Sequence, residues 1–228
     1  AAVRLVGVEC YEGLAASGST EHDEPYASRL MDLLVAVARA CDEQDLFDSS
    51  EVLLSAGGSA IFDLVTAALG TALGRPVQGL LRSGCYLTSD QGNYRRMMSA
   101  VAARTGCGAG LEAAMEVWAR VQSCPEPGLA ILAVGKRDIS YDLEMPIPLL
   151  HCRRGSTVPS ATPADWKISA LNDQHAYLRG SGEQHAALQV GDLICLGISH
   201  PCTTFDKWRW MPLVDEDYKV CDAIVTVF

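Results

Sequence analysis

Apolar and polar positions along the first half of the chain alternate between two rhythms. Residues 3–11 form a β-prone run closed by Glu12-Gly13, and a polar Gly/Ser/Thr stretch follows. Over 25–42, apolar residues stand at Leu30, Leu33, Leu34, Val37 and Ala38, the 3.6-residue period of an amphipathic helix. The same alternation continues with a short strand at 51–54, an apolar helix at 60–73, a strand at 76–81 and a helix at 93–104. Repeated β-loop-α units of this size predict a parallel sheet or part of a β/α barrel.

The rhythm changes near 106–110. Beyond it come short β-prone segments at 117–123, 129–134, 167–178, 188–198 and 220–228, separated by turns such as Pro125-Glu126-Pro127-Gly128 and Gly191-Asp192. This predicts an antiparallel β domain. Residues 151–163 read as a surface loop. The expected class is α/β plus β: the later part of a (β/α)8 barrel over 1–110, then an antiparallel β domain over 111–228.

Composition narrows the classes of function. The chain has 228 residues, 49% of them hydrophobic, and a formal net charge of −10. Such apolar content builds a core and excludes global disorder. An acidic balance, with basic clusters only at Arg95-Arg96 and Arg153-Arg154, disfavours nucleic acid and anionic membrane as partners. No apolar run reaches the roughly 18 residues of a membrane span, and the first residues lack the plan of a signal peptide. Nine cysteines, an odd number without a CxxC pair, predict reduced and mostly buried thiols and a cytoplasmic setting.

Four stretches could carry chemistry. His200-Pro201-Cys202 follows an apolar run; in an extended segment, residues two apart face the same way, and imidazole and thiolate are both good zinc ligands. Two ligands suit a catalytic metal with open positions; a turn histidine beside a buried cysteine is the plain alternative. His175 lies in a polar–apolar alternation that could face a cleft or only solvent. Ser55-Ala56-Gly57-Gly58-Ser59 ends a strand and opens a helix, the setting of a phosphate cradle. It is neither GxGxxG nor a Walker loop, and a Gly-rich βα turn without ligand is common. Tyr86, after the next strand, could bring its hydroxyl to the same end of the sheet or leave it in water. His22, His151 and His185 lie in polar, loop-like segments and are assigned nothing.

Taken in order, these pieces resemble the D-serine dehydratase and D-threonine aldolase family, pyridoxal-phosphate enzymes of the alanine-racemase fold. The most specific match is Gly191-Asp192-Leu193-Ile194-Cys195 followed by Ile198-Ser199-His200-Pro201-Cys202-Thr203-Thr204-Phe205-Asp206-Lys207-Trp208. Gly57-Gly58-Ser59, Arg82-Ser83-Gly84-Cys85-Tyr86 with Asp90, Val134-Gly135-Lys136-Arg137-Asp138-Ile139-Ser140 with Asp142, and Asp173-Gln174-His175 support it.

The resemblance implies that the cofactor phosphate sits on Gly57, Gly58 and Ser59 with Tyr86 as an added donor. It further implies that His200 and Cys202 hold a divalent metal, and it leaves His175 as the catalytic candidate. The substrate would be a D-hydroxy amino acid and the assembly a homodimer. Aldolases of the family tend to carry Asp where Cys202 stands, and a thiolate–imidazole pair favours zinc over manganese. That tips the expectation to dehydratase-like β-elimination, giving a 2-oxo acid and ammonia. D-threonine aldolase-like cleavage, or a non-catalytic remnant binding phosphate or a partner, are the alternatives. The family's Schiff-base lysine belongs to the first barrel strand, whereas the four lysines here are Lys136, Lys167, Lys207 and Lys219. A complete barrel also takes about 250 residues. The expectation is therefore the C-terminal portion of a larger enzyme.

Overall fold

The computed structural model describes residues 3–13, 15–107 and 110–227. They divide into two compact units, the first running to Leu87 and including Tyr94–Glu112, the second comprising Thr88–Asn93 and the chain from Ala113 onward.

In the first unit, β1 (Gly7–Glu9), β2 (Val52–Ala56) and β3 (Val77–Leu81) form a parallel sheet in that order, with Leu53 opposite Gly7 and Val77 opposite Val52. Each strand leads to a helix: α1 (Thr20–Glu43), α2 (Phe62–Leu69) and α3 (Asn93–Thr105). Central β2 is an apolar run because both of its faces are covered; Val52, Leu54 and Ala56 are fully buried. Against it packs the stripe Ala27, Met31, Leu34 and Ala38, spaced by four, three and four along α1. Helix α1 begins five residues before the expected start and contains Pro25. The cause lies upstream: the buried Asp23 carboxylate accepts the N–H groups of Ser17 (2.8 Å) and Gly18 (2.9 Å), folding the polar stretch onto the first turn. A two-pronged bond from Arg104 to Asp63, at 2.8 and 2.9 Å, fastens α3 to α2.

The second unit is a seven-stranded sheet in the order β7-β6-β10-β4-β5-β9-β8, antiparallel at every pairing. Its strands are β4 (Glu116–Glu126), β5 (Leu129–Leu132), β6 (Ile147–Cys152), β7 (Ser160–Ala161), β8 (Lys167–Leu171), β9 (Ala176–Arg179) and β10 (Leu193–Gly197). Ala130, Leu132, Leu178, Ile194 and Leu196 form the buried centre. Short helices α4 (Gly182–Ala186) and α5 (Pro201–Phe205) connect strands, and β11 (Trp210–Val214) pairs with β12 (Val220–Val225) as a separate hairpin.

Three expectations change here. The loop expected at 151–163 begins inside β6, where His151 bonds to buried Asp192 at 2.9 Å, and ends beyond β7. The single segment expected at 167–178 is a hairpin, turned at 172–175, and the run at 188–198 becomes a strand only from Leu193. Of the nine cysteines, only Cys85, Cys152 and Cys195 are buried, and none forms a disulfide. Among the described residues no helix is long and apolar enough to cross a membrane.

Candidate functional site

In the second unit, four of the sequence stretches meet. Loop 88–93 lies along the exit of β10: Gln91 N–H donates to Ile198 O, and Ile198 N–H to Gln91 Oε1, both at 3.0 Å. The segment after β5 joins from another side. Ser140 N–H donates to Thr204 Oγ1 (3.1 Å), and the Trp208 indole donates to Asp138 O (2.7 Å). The β8–β9 turn carrying His175 closes on that same segment, with Lys136 N–H on Asn172 O (2.9 Å) and Arg137 N–H on Asp173 O (3.1 Å). Gly135 is required there, because a Cβ would strike the carbonyls of Asn172 and Asp173.

At the centre of this cluster is a histidine held by a carboxylate. His200 Nδ1 and Asp142 Oδ2 are 2.5 Å apart, and Thr203 Oγ1 donates to Asp142 Oδ1 at 2.8 Å. Burial by itself would raise the Asp142 pKa, but the bonds from His200 and Thr203 outweigh it and hold the group below the usual carboxylate range. An ionised Asp142 keeps the proton on Nδ1, so Nε2 presents its lone pair. That is the arrangement in which carboxylates orient metal-binding histidines.

The geometry of the pair itself differs from the expectation. His200 is extended (φ −159°, ψ 99°), but Pro201 opens helix α5 immediately after it, so the same-face argument for a strand does not apply to Cys202. Cys202 is exposed, not the buried cysteine of the plain alternative. Among the described residues, no group of three or more His, Cys, Asp and Glu side chains is arranged to hold a metal. His200 and Cys202 offer an imidazole and a thiol, donor types that suit a borderline-soft ion such as zinc. Sequence reasoning included Asp142 in a motif but gave it no role. Its partner lies 58 residues away, a pairing that no local pattern carries.

In the first unit, the 57–59 turn follows β2 at the carboxyl ends of the parallel strands, where α/β sheets bind ligands. Gly57 has φ +84°, and its carbonyl accepts Ser83 Oγ at 2.7 Å. Ser59 is buried. Tyr86, in a 3-10 turn over Gly84–Leu87, stands edge-on to Phe62 with ring centroids 5.0 Å apart. Two neighbours were not foreseen. The Arg82 guanidinium reaches Ser55 Oγ (2.7 Å), Cys10 O (2.8 Å) and Glu9 (3.2 Å). Glu12, buried, accepts the Gly58 N–H at 2.9 Å. A backbone donor of the expected cradle is thus already taken by a side-chain carboxyl group.

Comparison with known proteins finds a likeness for the second unit. Residues 114–214, which contain Asp142, His175, His200 and Cys202, match the model of the putative serine dehydratase domain. The resemblance to the D-serine dehydratase and D-threonine aldolase family stands. Solved structures are similar to this chain in fold. D-threonine aldolase from Filomicrobium marinum superposes with a TM-score of 0.71 at 21% identity, covering 97% of this chain and 53% of that one. D-threo-3-hydroxyaspartate dehydratase from Delftia sp. HT23 gives 0.62 at 18% identity, over 94% and 54%. An alanine racemase-like protein from Idiomarina loihiensis gives 0.62 at 15% identity, over 96% and 54%. Two further solved structures of D-threo-3-hydroxyaspartate dehydratase are of a Cys-to-Ala mutant in the metal-free form and of a His-to-Ala mutant, at positions two residues apart. The chain spans about half the length of these solved relatives. No curated protein matches it.

Proposed function

We propose that the chain is the C-terminal part of a pyridoxal-phosphate- and zinc-dependent lyase acting on D-hydroxy amino acids, by dehydratase-like β-elimination to a 2-oxo acid and ammonia. The observation that carries this is the Asp142–His200 bond, which fixes one imidazole nitrogen and leaves the other for a metal, two residues before a thiol. The His and Cys mutated in D-threo-3-hydroxyaspartate dehydratase have the same spacing.

Pyridoxal phosphate, when bound, supplies an electron sink at the substrate's Cα. A zinc ion supplies Lewis acidity toward the β-hydroxyl that leaves. The chain's own residues do the rest. Backbone N–H groups of Gly57, Gly58 and Ser59 would hold the phosphate, with the Tyr86 hydroxyl as a further donor. Asp142 holds the His200 proton on Nδ1, and Cys202 offers its sulfur. His175 is the candidate proton carrier. The three βα units are read as the later part of a barrel, and a homodimer in the cytoplasm belongs to the same proposal.

The likeness in fold to D-threonine aldolase supports a second reading on the same scaffold, retro-aldol cleavage of D-threonine. The exposed Cys202, where aldolases of the family tend to carry Asp, favours the first. Products separate the two in the complete enzyme: pyruvate and ammonia from D-serine, or glycine and acetaldehyde from D-threonine. For the metal, equilibrium dialysis of the chain against zinc should give close to one ion bound, lost in His200→Ala and Cys202→Ala with the circular dichroism unchanged. Stoichiometric zinc in either variant refutes the assignment.

A further inference from the structure

The first unit buries two carboxylates, Glu12 and Asp23, and half-buries a third, Asp63, and they are served unequally. Asp23 accepts from Ser17 N–H, Ser17 Oγ and Gly18 N–H and pairs with His22. Asp63 receives both arms of the Arg104 guanidinium. Glu12, only 4% exposed, has a single donor among the described residues, the Gly58 N–H. A carboxylate held by one neutral donor is anchored less firmly than one held by several, because each hydrogen bond to a charged group adds to its hold. Arg82, the cation nearest this end of the sheet, is engaged by Ser55 Oγ, Cys10 O and Glu9. The Glu12 charge is also felt locally: after burial, it is the next cause raising the Cys10 thiol pKa.

The place this carboxylate occupies matters more than its partners. It presses so closely on Gly58 that a Cβ at that residue would fall within it. Any anion approaching the Gly58 N–H from that side meets Glu12 first. One N–H cannot serve both a carboxylate and a phosphate oxygen, and two anions at contact in a buried turn repel strongly.

We propose that Glu12 is a built-in competitor for the phosphate seat, so that the 57–59 turn holds either the Glu12 carboxylate or a phosphate group, never both. This rests on the reading of that turn as a phosphate cradle. Its consequence is an exchange: phosphate enters as Glu12 withdraws from Gly58. The weak satisfaction of Glu12 makes the exchange feasible, whereas Asp23 and Asp63 are held by too many bonds to play such a part.

The test uses the whole chain and inorganic phosphate as probe. Affinity is measured by calorimetry for the wild type, Glu12→Gln and Glu12→Ala, and the Gly58 amide and Glu12 carboxyl signals are followed by NMR. Removing the charge should tighten phosphate binding roughly tenfold or more, with Glu12→Ala at least as strong as Glu12→Gln. In the wild type, the Gly58 amide and Glu12 carboxyl signals should move together as phosphate is added. Equal affinities in wild type and variants overturn the competition and leave the cradle standing. So does a Gly58 shift without a Glu12 shift, a result that needs no variant to fold. No binding to a natively folded Glu12→Ala chain removes the cradle reading itself, and the proposal with it.

Discussion

Single side chains in this molecule act mostly through carboxylates that gather donors from distant segments. Asp192 shows the energetics plainly. It is buried, and it accepts Arg154 N–H (2.8 Å), the His151 ring (2.9 Å) and Gln189 N–H (3.1 Å). Burial alone would raise its pKa, but those hydrogen bonds outweigh it and place the folded-state value below the ordinary 3.8. A carboxylate depressed on folding contributes stability that is present above its unfolded-state pKa and is lost as pH falls through the folded value. Asp192→Asn should therefore cost about 2–3 kcal/mol near neutral pH, the scale of a charged hydrogen-bond set left mismatched. Below about pH 3.8 the difference from wild type should shrink. Urea unfolding at a series of pH values reads this directly, and a difference that stays constant into acid would show that the charge of Asp192 is not the cause.

At the scale of elements, local pattern carried the βα half and failed wherever partners were remote. Strand β2 and the existence of α1 were legible because burial writes its period into the sequence, but the stripe was only half right: Leu34 and Ala38 are buried, while Leu33 and Val37 are exposed and Ala27 and Met31 take their place. Strand β6 was hidden by Pro148 and by the polar His151, whose partner Asp192 is supplied by the turn before β10. The β8–β9 hairpin looked like one strand because its turn, Asn172-Asp173-Gln174-His175, has no Gly or Pro; the bond from Asn172 N–H to His175 O closes it. His200 and Cys202 were visible as ligand types, but the helical turn begun at Pro201 was not. The 57–59 turn was visible through its glycines, and the structure says which one is indispensable. At Gly57 the backbone is left-handed, and a Cβ would come within 2.6 Å of Val65 and 2.8 Å of Leu81. Gly57→Ala should cost about 2–4 kcal/mol from strain and overpacking together. Thermal unfolding of the variant measures it; a loss below 1 kcal/mol would mean that the β2–α2 turn relaxes freely.

For the molecule as a whole, a metal that binds only the folded chain adds its binding free energy to stability, so the proposed metal site can be read without turnover. The net charge of −10 draws cations everywhere on the surface, and measurements belong near 0.15 M salt, where such diffuse attraction is screened. With zinc in large excess over its dissociation constant, a change in affinity converts directly into a change in stabilisation. Losing the carboxylate that orients a metal-bound histidine typically weakens binding about 10–100-fold. Asp142→Asn should therefore reduce the zinc-dependent gain by about 1.4–2.7 kcal/mol relative to wild type at equal zinc. Calorimetry with and without zinc isolates this quantity, because each protein is compared with its own metal-free form and any separate structural cost of the substitution cancels. Thr203→Val serves as the graded control, since it removes one hydrogen bond to Asp142 and leaves the His200 contact in place. Its zinc-dependent gain should fall between those of the wild type and Asp142→Asn. If all three proteins gain equally, zinc does not bind through His200, and the function proposed for the chain loses its metal.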